Sequence, residues 1–211
     1  FIGDPAAMTI AVSYLIDPAY GRLLSERISW AEVLDKPEVT VPGGDTIYLS
    51  VVDRDGMACS LINSLYDGFG SGIMTQNTGI MLQNRGRSFS LEAGHPNAIG
   101  PGKLPLHTII PGMAMKAGKP SISFGVMGGH YQACGHAHVL QNMLDYGLDP
   151  QAALDFPRAF WDATGALELE EGWSAAVAEA LTEKGHRIVR SGNPRGGGQI
   201  IMIDQERGVL I

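Results

Sequence analysis

An α+β layered fold is predicted by three features of the sequence. Two strand pairs come first, one around Asp53-Arg54-Asp55-Gly56 and one around Lys116-Ala117-Gly118-Lys119-Pro120. Helical patterns then occupy 134–156, and a strand-rich tail closes the chain. Strands and helices grouped in blocks in this way imply sheets and helices stacked as separate layers.

Asp17-Pro18-Ala19, followed by Tyr20, Leu23, Leu24 and Ile28, supplies an N-cap, a proline at the first helical position and an apolar stripe, and predicts a helix over 17–28. Between Ala31 and Asp45 the chain collects Pro37, Pro42, Gly43 and Gly44 with little periodicity, which suits a boundary or a processing loop. Ile47–Val52 and Met57–Ile62 alternate like strands, and the Asp55-Gly56 pair between them is a hairpin signal. Gly68-Phe69-Gly70-Ser71-Gly72 is too rich in glycine for regular structure and reads as a simple turn or, with three glycines in five residues, as the wall of a site. Residues 79–84 read as a short strand, and Arg85-Gly86-Arg87-Ser88 turns away from it.

Ile109–Met115 and Ile122–Val126 form the second hairpin. A helix through Cys134, Ala137, Leu140, Met143 and Leu144 follows, with Gly147 as its C-cap. Short helices are expected over 149–156 and, capped by Ser174, over 174–184. Strands are expected over 167–170, 187–189, 199–203 and 209–211, with Arg195-Gly196-Gly197-Gly198 as a flexible turn.

The composition, 45% hydrophobic and 18% charged over 211 residues, is that of a folded domain. A net charge of -7 with scattered basic residues argues against a nucleic-acid partner. No apolar run reaches the roughly 20 residues that a membrane-spanning helix needs. Cys59 and Cys134 form no Cys-x-x-Cys unit, and a reducing, cytoplasmic setting suits them, with a periplasmic or secreted location left open. The start Phe1-Ile2-Gly3-Asp4-Pro5 resembles the middle of a longer protein rather than a leader. His130, His136 and His138 lie six and two residues apart, which scatters them around a helix, so neither a metal nor a cofactor is expected.

Gly43-Gly44-Asp45-Thr46 runs straight into the first strand, and on pattern alone Thr46 is an ordinary strand-start threonine. A threonine hydroxyl becomes a useful nucleophile only beside a base, and the free α-amine of an N-terminal threonine, with an unperturbed pKa of about 8, can serve. Cleavage of the Asp45–Thr46 bond would create that amine. Gly128-Gly129, where a strand ends and a helix begins, aims backbone N–H groups into a small space. That arrangement suits an oxyanion, and equally a tight turn with no ligand.

Several ordered motifs together resemble the γ-glutamyltranspeptidase family of N-terminal nucleophile hydrolases. They are Thr46 with Ser50-Val51-Val52-Asp53-x-Asp55-Gly56, Phe69-Gly70-Ser71-Gly72-Ile73, Gly79-Ile80-x-Leu82-x-Asn84, Gly100-Pro101-x-Lys103-x-Pro105, and Gly128-Gly129. Gly3-Asp4-Pro5 is similar to the tail of the family's large subunit. The resemblance implies a four-layer αββα sandwich completed by a large subunit. Residues 1–45 would be that subunit's tail and 46–211 a small, catalytic subunit, truncated at its C-terminus and working as a dimer of heterodimers. It further implies Thr46 as nucleophile, Gly128 and Gly129 as the oxyanion turn, and Ser64 in the place of a threonine near the nucleophile's amine.

At the positions that hold the glutamyl group in the family, this sequence has Tyr66, Arg85 and Ser88, with His107 and Thr108 where an adjacent serine pair is usual. The aspartate that would meet a substrate ammonium is gone, and Arg85 adds a planar cation suited to carboxylate. Similarity over 65–72 and 82–86 points toward the amidohydrolase branch that includes oxamate amidohydrolase. The expected substrate is therefore a small amide that carries a carboxylate. The alternatives are a γ-glutamyl transferase or hydrolase, and an unprocessed relative with a binding role only.

Overall fold

The computed structural model describes residues 2–33, 45–162 and 164–211, and Asp45 through its backbone alone. Most of the predicted boundary loop, with Pro37, Pro42, Gly43 and Gly44, lies outside the described residues.

The N-terminal helices are α1 (Val12–Leu15) and α2 (Pro18–Ser25). Asp17 caps α2 by accepting the Ala19 N–H at 2.7 Å. The helix ends three residues before the predicted Ile28, because the next turn tightens: Arg27 and Ile28 donate to carbonyls three residues back, those of Leu24 and Ser25.

The first hairpin pairs β1 (Asp45–Val52) with β2 (Ala58–Tyr66). It packs across a second sheet of order β3-β4-β8-β9, formed by Gly112–Lys116, Lys119–Met127, Gly197–Asp204 and Val209–Leu210. Against the other face of this sheet lie α3 (Tyr131–Leu144) and α4 (Pro150–Asp155). A small sheet joins β5 (Ala159–Trp161), β6 (Leu167–Leu169) and β7 (Ile188–Arg190). Its β6 and β7 are parallel, so a crossover must connect them, and α5 (Ala175–Glu183) supplies it with Ser174 as cap.

β4 holds the layers together because its two faces differ. Ile122, Phe124 and Val126 meet Tyr131, Val139 and Met143 of α3 in the main core, where each buried side chain contributes about 1.5–3 kcal/mol. Ser123 and Gly125 face the hairpin. The Ser50 hydroxyl donates to Ser123 at 2.6 Å, and a Cβ on Gly125 would sit 2.2 Å from the Tyr48 ring. Only glycine lets Tyr48 lie so close to the strand.

Four further expectations are corrected. Residues 79–84 are not a strand: a turn at Thr75–Gly79 folds them back on 71–75, with Leu82 donating to Ile73 and Ser71 to Leu82, so they extend no sheet. The predicted strand at Ile109 starts only at Gly112. Asp145, not Gly147, caps α3; Gly147, at φ 68°, lies two residues on and returns Leu148 to the Asn142 carbonyl. Gly197 and Gly198 are not a flexible turn but the start of β8, paired with Met127 and Val126.

Candidate active site

The Asp-Gly turn sets a register in which Thr46 stands opposite Ser64. Thr46 Oγ1 donates to Ser64 Oγ at 3.1 Å. The register then slips, since Asp45 pairs with Tyr66, and Leu65 is the extra residue of a bulge. Tyr66 carries the strain of that bulge at φ 80°, a left-handed conformation that a bulky side chain rarely adopts. Its N–H also donates to Ser64 Oγ at 3.1 Å.

Arg85 reaches the same hydroxyl. It begins a 3₁₀ turn, Arg85–Ser88, that is held against the end of β2. Asn84 donates to Asp67 at 2.7 Å and its N–H bonds the Leu65 carbonyl at 3.1 Å. Arg87 also pairs with Asp67 at 2.8 Å, in a bridge whose guanidinium is exposed to solvent and screened by it. Arg85 itself is 3% exposed. It donates through Nη2 to Ser64 Oγ at 3.0 Å and through Nη1 to Thr108 Oγ1 at 2.9 Å. Its guanidinium lies over the buried Tyr66 ring, 5.2 Å from the centroid.

Among the described residues no carboxylate pairs with Arg85. Burial pushes its pKa down, yet a guanidinium stays protonated throughout the range in which proteins work. A buried cation held only by hydroxyls and an aromatic face is costly unless an anion joins it.

Gly128 and Gly129 follow β4 with φ of 128° and 60°. Their carbonyls accept from Tyr131 and Gln132 of α3, while among the described residues neither of their N–H groups donates to any acceptor. Gly129 is buried and Gly128 half-buried, and a buried N–H is rarely left so. Two cross-layer pairs, Ser50 with Ser123 and Tyr48 with Gly125, set an antiparallel series whose next member is Thr46 with Met127. Continued to that member, the series runs from Thr46 toward the end of β4, where the glycine turn begins.

Sequence reading missed the support of this turn. A Cβ on Gly196 would lie 1.9 Å from the Met127 carbonyl oxygen, and one on Gly128 would lie 3.2 Å from the Gly196 Cα. The two backbones therefore touch. Glu170 fixes the Gly196 side of the contact by accepting the backbone N–H groups of Arg158 and Arg195. The run Gly196-Gly197-Gly198 at the start of a strand is the hint that the sequence carries.

The remaining predicted residues are placed differently. Ser88 donates its hydroxyl to the Leu106 carbonyl at 3.3 Å. His107 lies at the surface, and partial loss of hydration and then the nearby Arg85 cation hold its pKa below the ordinary imidazole value. His136 is in the core, its Nδ1 at 2.5 Å from the Gln132 carbonyl and its ring against Phe124; the His138 ring packs at a tilt against Phe156. The geometry thus offers a hydroxyl pair beside a buried cation where β1 meets β2, and a glycine turn with uncommitted N–H donors at the end of β4.

The chain is similar to several known proteins. The chain is 39% identical over 212 residues to the glutathione hydrolase-like YwrD proenzyme of Bacillus subtilis, covering 96% of the chain and 40% of that protein. It is 33% identical to the oxamate amidohydrolase proenzyme of Klebsiella pneumoniae, covering 89% of the chain and 36% of that protein. It therefore spans about two fifths of the length of these curated relatives. The crystal structure of a cephalosporin acylase from Bacillus halodurans superposes over 100% of the chain and 39% of its own length, with a TM-score of 0.88 at 39% identity. The profile of the gamma-glutamyltranspeptidase family matches residues 1–210, and the chain belongs to that family, with its α+β N-terminal nucleophile hydrolase fold.

Proposed function

We propose that this chain is the C-terminal part of a proenzyme that cleaves itself between Asp45 and Thr46 and then hydrolyses a small amide bearing a carboxylate, such as oxamate. The observation that carries the reading is Arg85, a buried cation whose partners among the described residues are hydroxyls and a ring.

In maturation, Thr46 Oγ attacks the Asp45 carbonyl carbon and the peptide nitrogen leaves as the α-amine of Thr46. Water hydrolyses the resulting ester, restoring the hydroxyl and releasing an Asp45 carboxylate. The large subunit that ends there stays as partner. In turnover the amine takes the Thr46 hydroxyl proton while Oγ attacks the amide, and the glycine turn stabilises the developing oxyanion. The proton passes to the departing nitrogen, ammonia leaves, and water attacks the acyl-enzyme by the same route. Arg85 holds the substrate carboxylate, and Ser64 orients the nucleophile.

The names of the relatives favour two substrate classes, and one assay separates them. Oxamate should release ammonia with a kcat/KM above that for hydrolysis of γ-glutamyl-p-nitroanilide. The reverse order would establish the γ-glutamyl reading and reject the carboxylate-amide reading. An Asp45–Thr46 bond still intact on a denaturing gel after long incubation would support a binding-only relative.

A further inference from the structure

Gly3-Asp4-Pro5 and Gly100-Pro101-x-Lys103-x-Pro105, almost a hundred residues apart in sequence, meet in the fold. Asp4 is 8% exposed. One of its carboxylate oxygens accepts the Leu104 N–H at 2.8 Å and the other the Ala6 N–H at 2.9 Å. These two bonds, Leu104's first, hold its carboxyl below the ordinary aspartate value, so it stays ionised through neutral pH. A Cβ on Gly3 would lie 2.7 Å from the Pro96 carbonyl oxygen, so the backbone of residue 3 touches the other end of the 96–104 loop. Lys103 closes that loop by donating to the same Pro96 carbonyl at 3.0 Å.

The stapled loop leads to the candidate site through Asn97, which is 3% exposed. Its Oδ1 accepts the Leu106 N–H at 2.9 Å and its Nδ2 donates to the Ser88 carbonyl at 2.7 Å. Asn97 thereby ties the turn that begins with Arg85 to the segment that ends in Thr108, the residue whose hydroxyl accepts from Arg85.

We infer that Asp4 is a positioning residue for the anion pocket: with Asn97 it forms a latch that keeps Thr108 on Arg85. Asp4 precedes the Asp45–Thr46 bond, so after cleavage the latch joins the two products and makes the pocket depend on both. The inference rests on the carboxylate-binding reading of Arg85.

The test compares Asp4→Ala with the parent in the full-length protein. Expected are an about tenfold higher KM for oxamate, a kcat within about twofold, unchanged cleavage before Thr46, and faster hydrogen exchange at Leu104 and Leu106 while β1 and β2 keep their protection. An unchanged KM, or a fall in kcat and cleavage together with KM, would overturn the latch. If the parent itself does not turn over oxamate, the substrate reading fails, and the exchange measurement still decides the latch: unaltered protection at Leu104 and Leu106 rejects it. Should Asp4→Ala not fold, Asn97→Asp, which keeps the Leu106 acceptor and loses the Ser88 donor, carries the same comparison.

Discussion

The glycine turn at Gly128-Gly129, at the end of β4, and the pocket around Arg85, at the end of β2, are built from opposite materials. The turn uses backbone alone: two N–H groups, two positive φ angles and a touching glycine at 196. The pocket uses side chains alone: a guanidinium, two hydroxyls and an aromatic ring. Backbone donors serve any tetrahedral oxyanion, whatever the acyl group. Side chains distinguish one acyl group from another. Under the proposed function the contrast separates where the chemistry is performed from where the substrate is chosen, and substitutions on the two sides should fail in different ways.

The largest effect falls on the residue between them. Thr46→Ala removes the proposed nucleophile and should abolish both cleavage before residue 46 and ammonia release; two fragments on a denaturing gel, or residual turnover, would remove Thr46 from the centre of the comparison. On the turn, Gly128→Ala forces a Cβ into φ 128° and to within 3.2 Å of Gly196, so the N–H must swing away. The expected loss is about 10²–10³ in kcat with KM little changed. A KM effect of similar size would mean that the turn also chooses substrate, and the division would collapse.

How much of this was legible in the sequence differs between the two sides. The Thr46–Ser64 pair was within reach, because a tight Asp-Gly turn fixes every later pair of the hairpin, and the resemblance pointed to the same two residues. Arg85 could be singled out by its charge but not placed, since the chain from 67 to 84 that brings it to Ser64 has no regular structure and its apolar alternation at Ile80 and Leu82 imitates a strand. Ser88, which occupies a binding position by resemblance, turns its hydroxyl to the Leu106 carbonyl. Contacts between distant glycines leave no pattern at all. Gly196 resembles a flexible turn until Met127 is seen 1.9 Å from where its Cβ would be.

The pocket should respond in degrees. Arg85→Ala removes the cation and leaves the Ser64 and Thr108 hydroxyls facing a cavity. A charge-assisted hydrogen bond is worth about 1.5–3 kcal/mol, so KM for a carboxylate amide should rise about ten- to a hundredfold. The glycine turn is untouched, so kcat should change far less. Arg85→Lys is the finer test: an ammonium keeps the charge but cannot donate to Ser64 and Thr108 in one plane while lying flat over Tyr66. Its KM should fall between those of parent and alanine variant. A lysine variant equal to the parent would mean that charge alone recruits the substrate, whereas one equal to the alanine variant would mean that the planar fork carries the whole interaction.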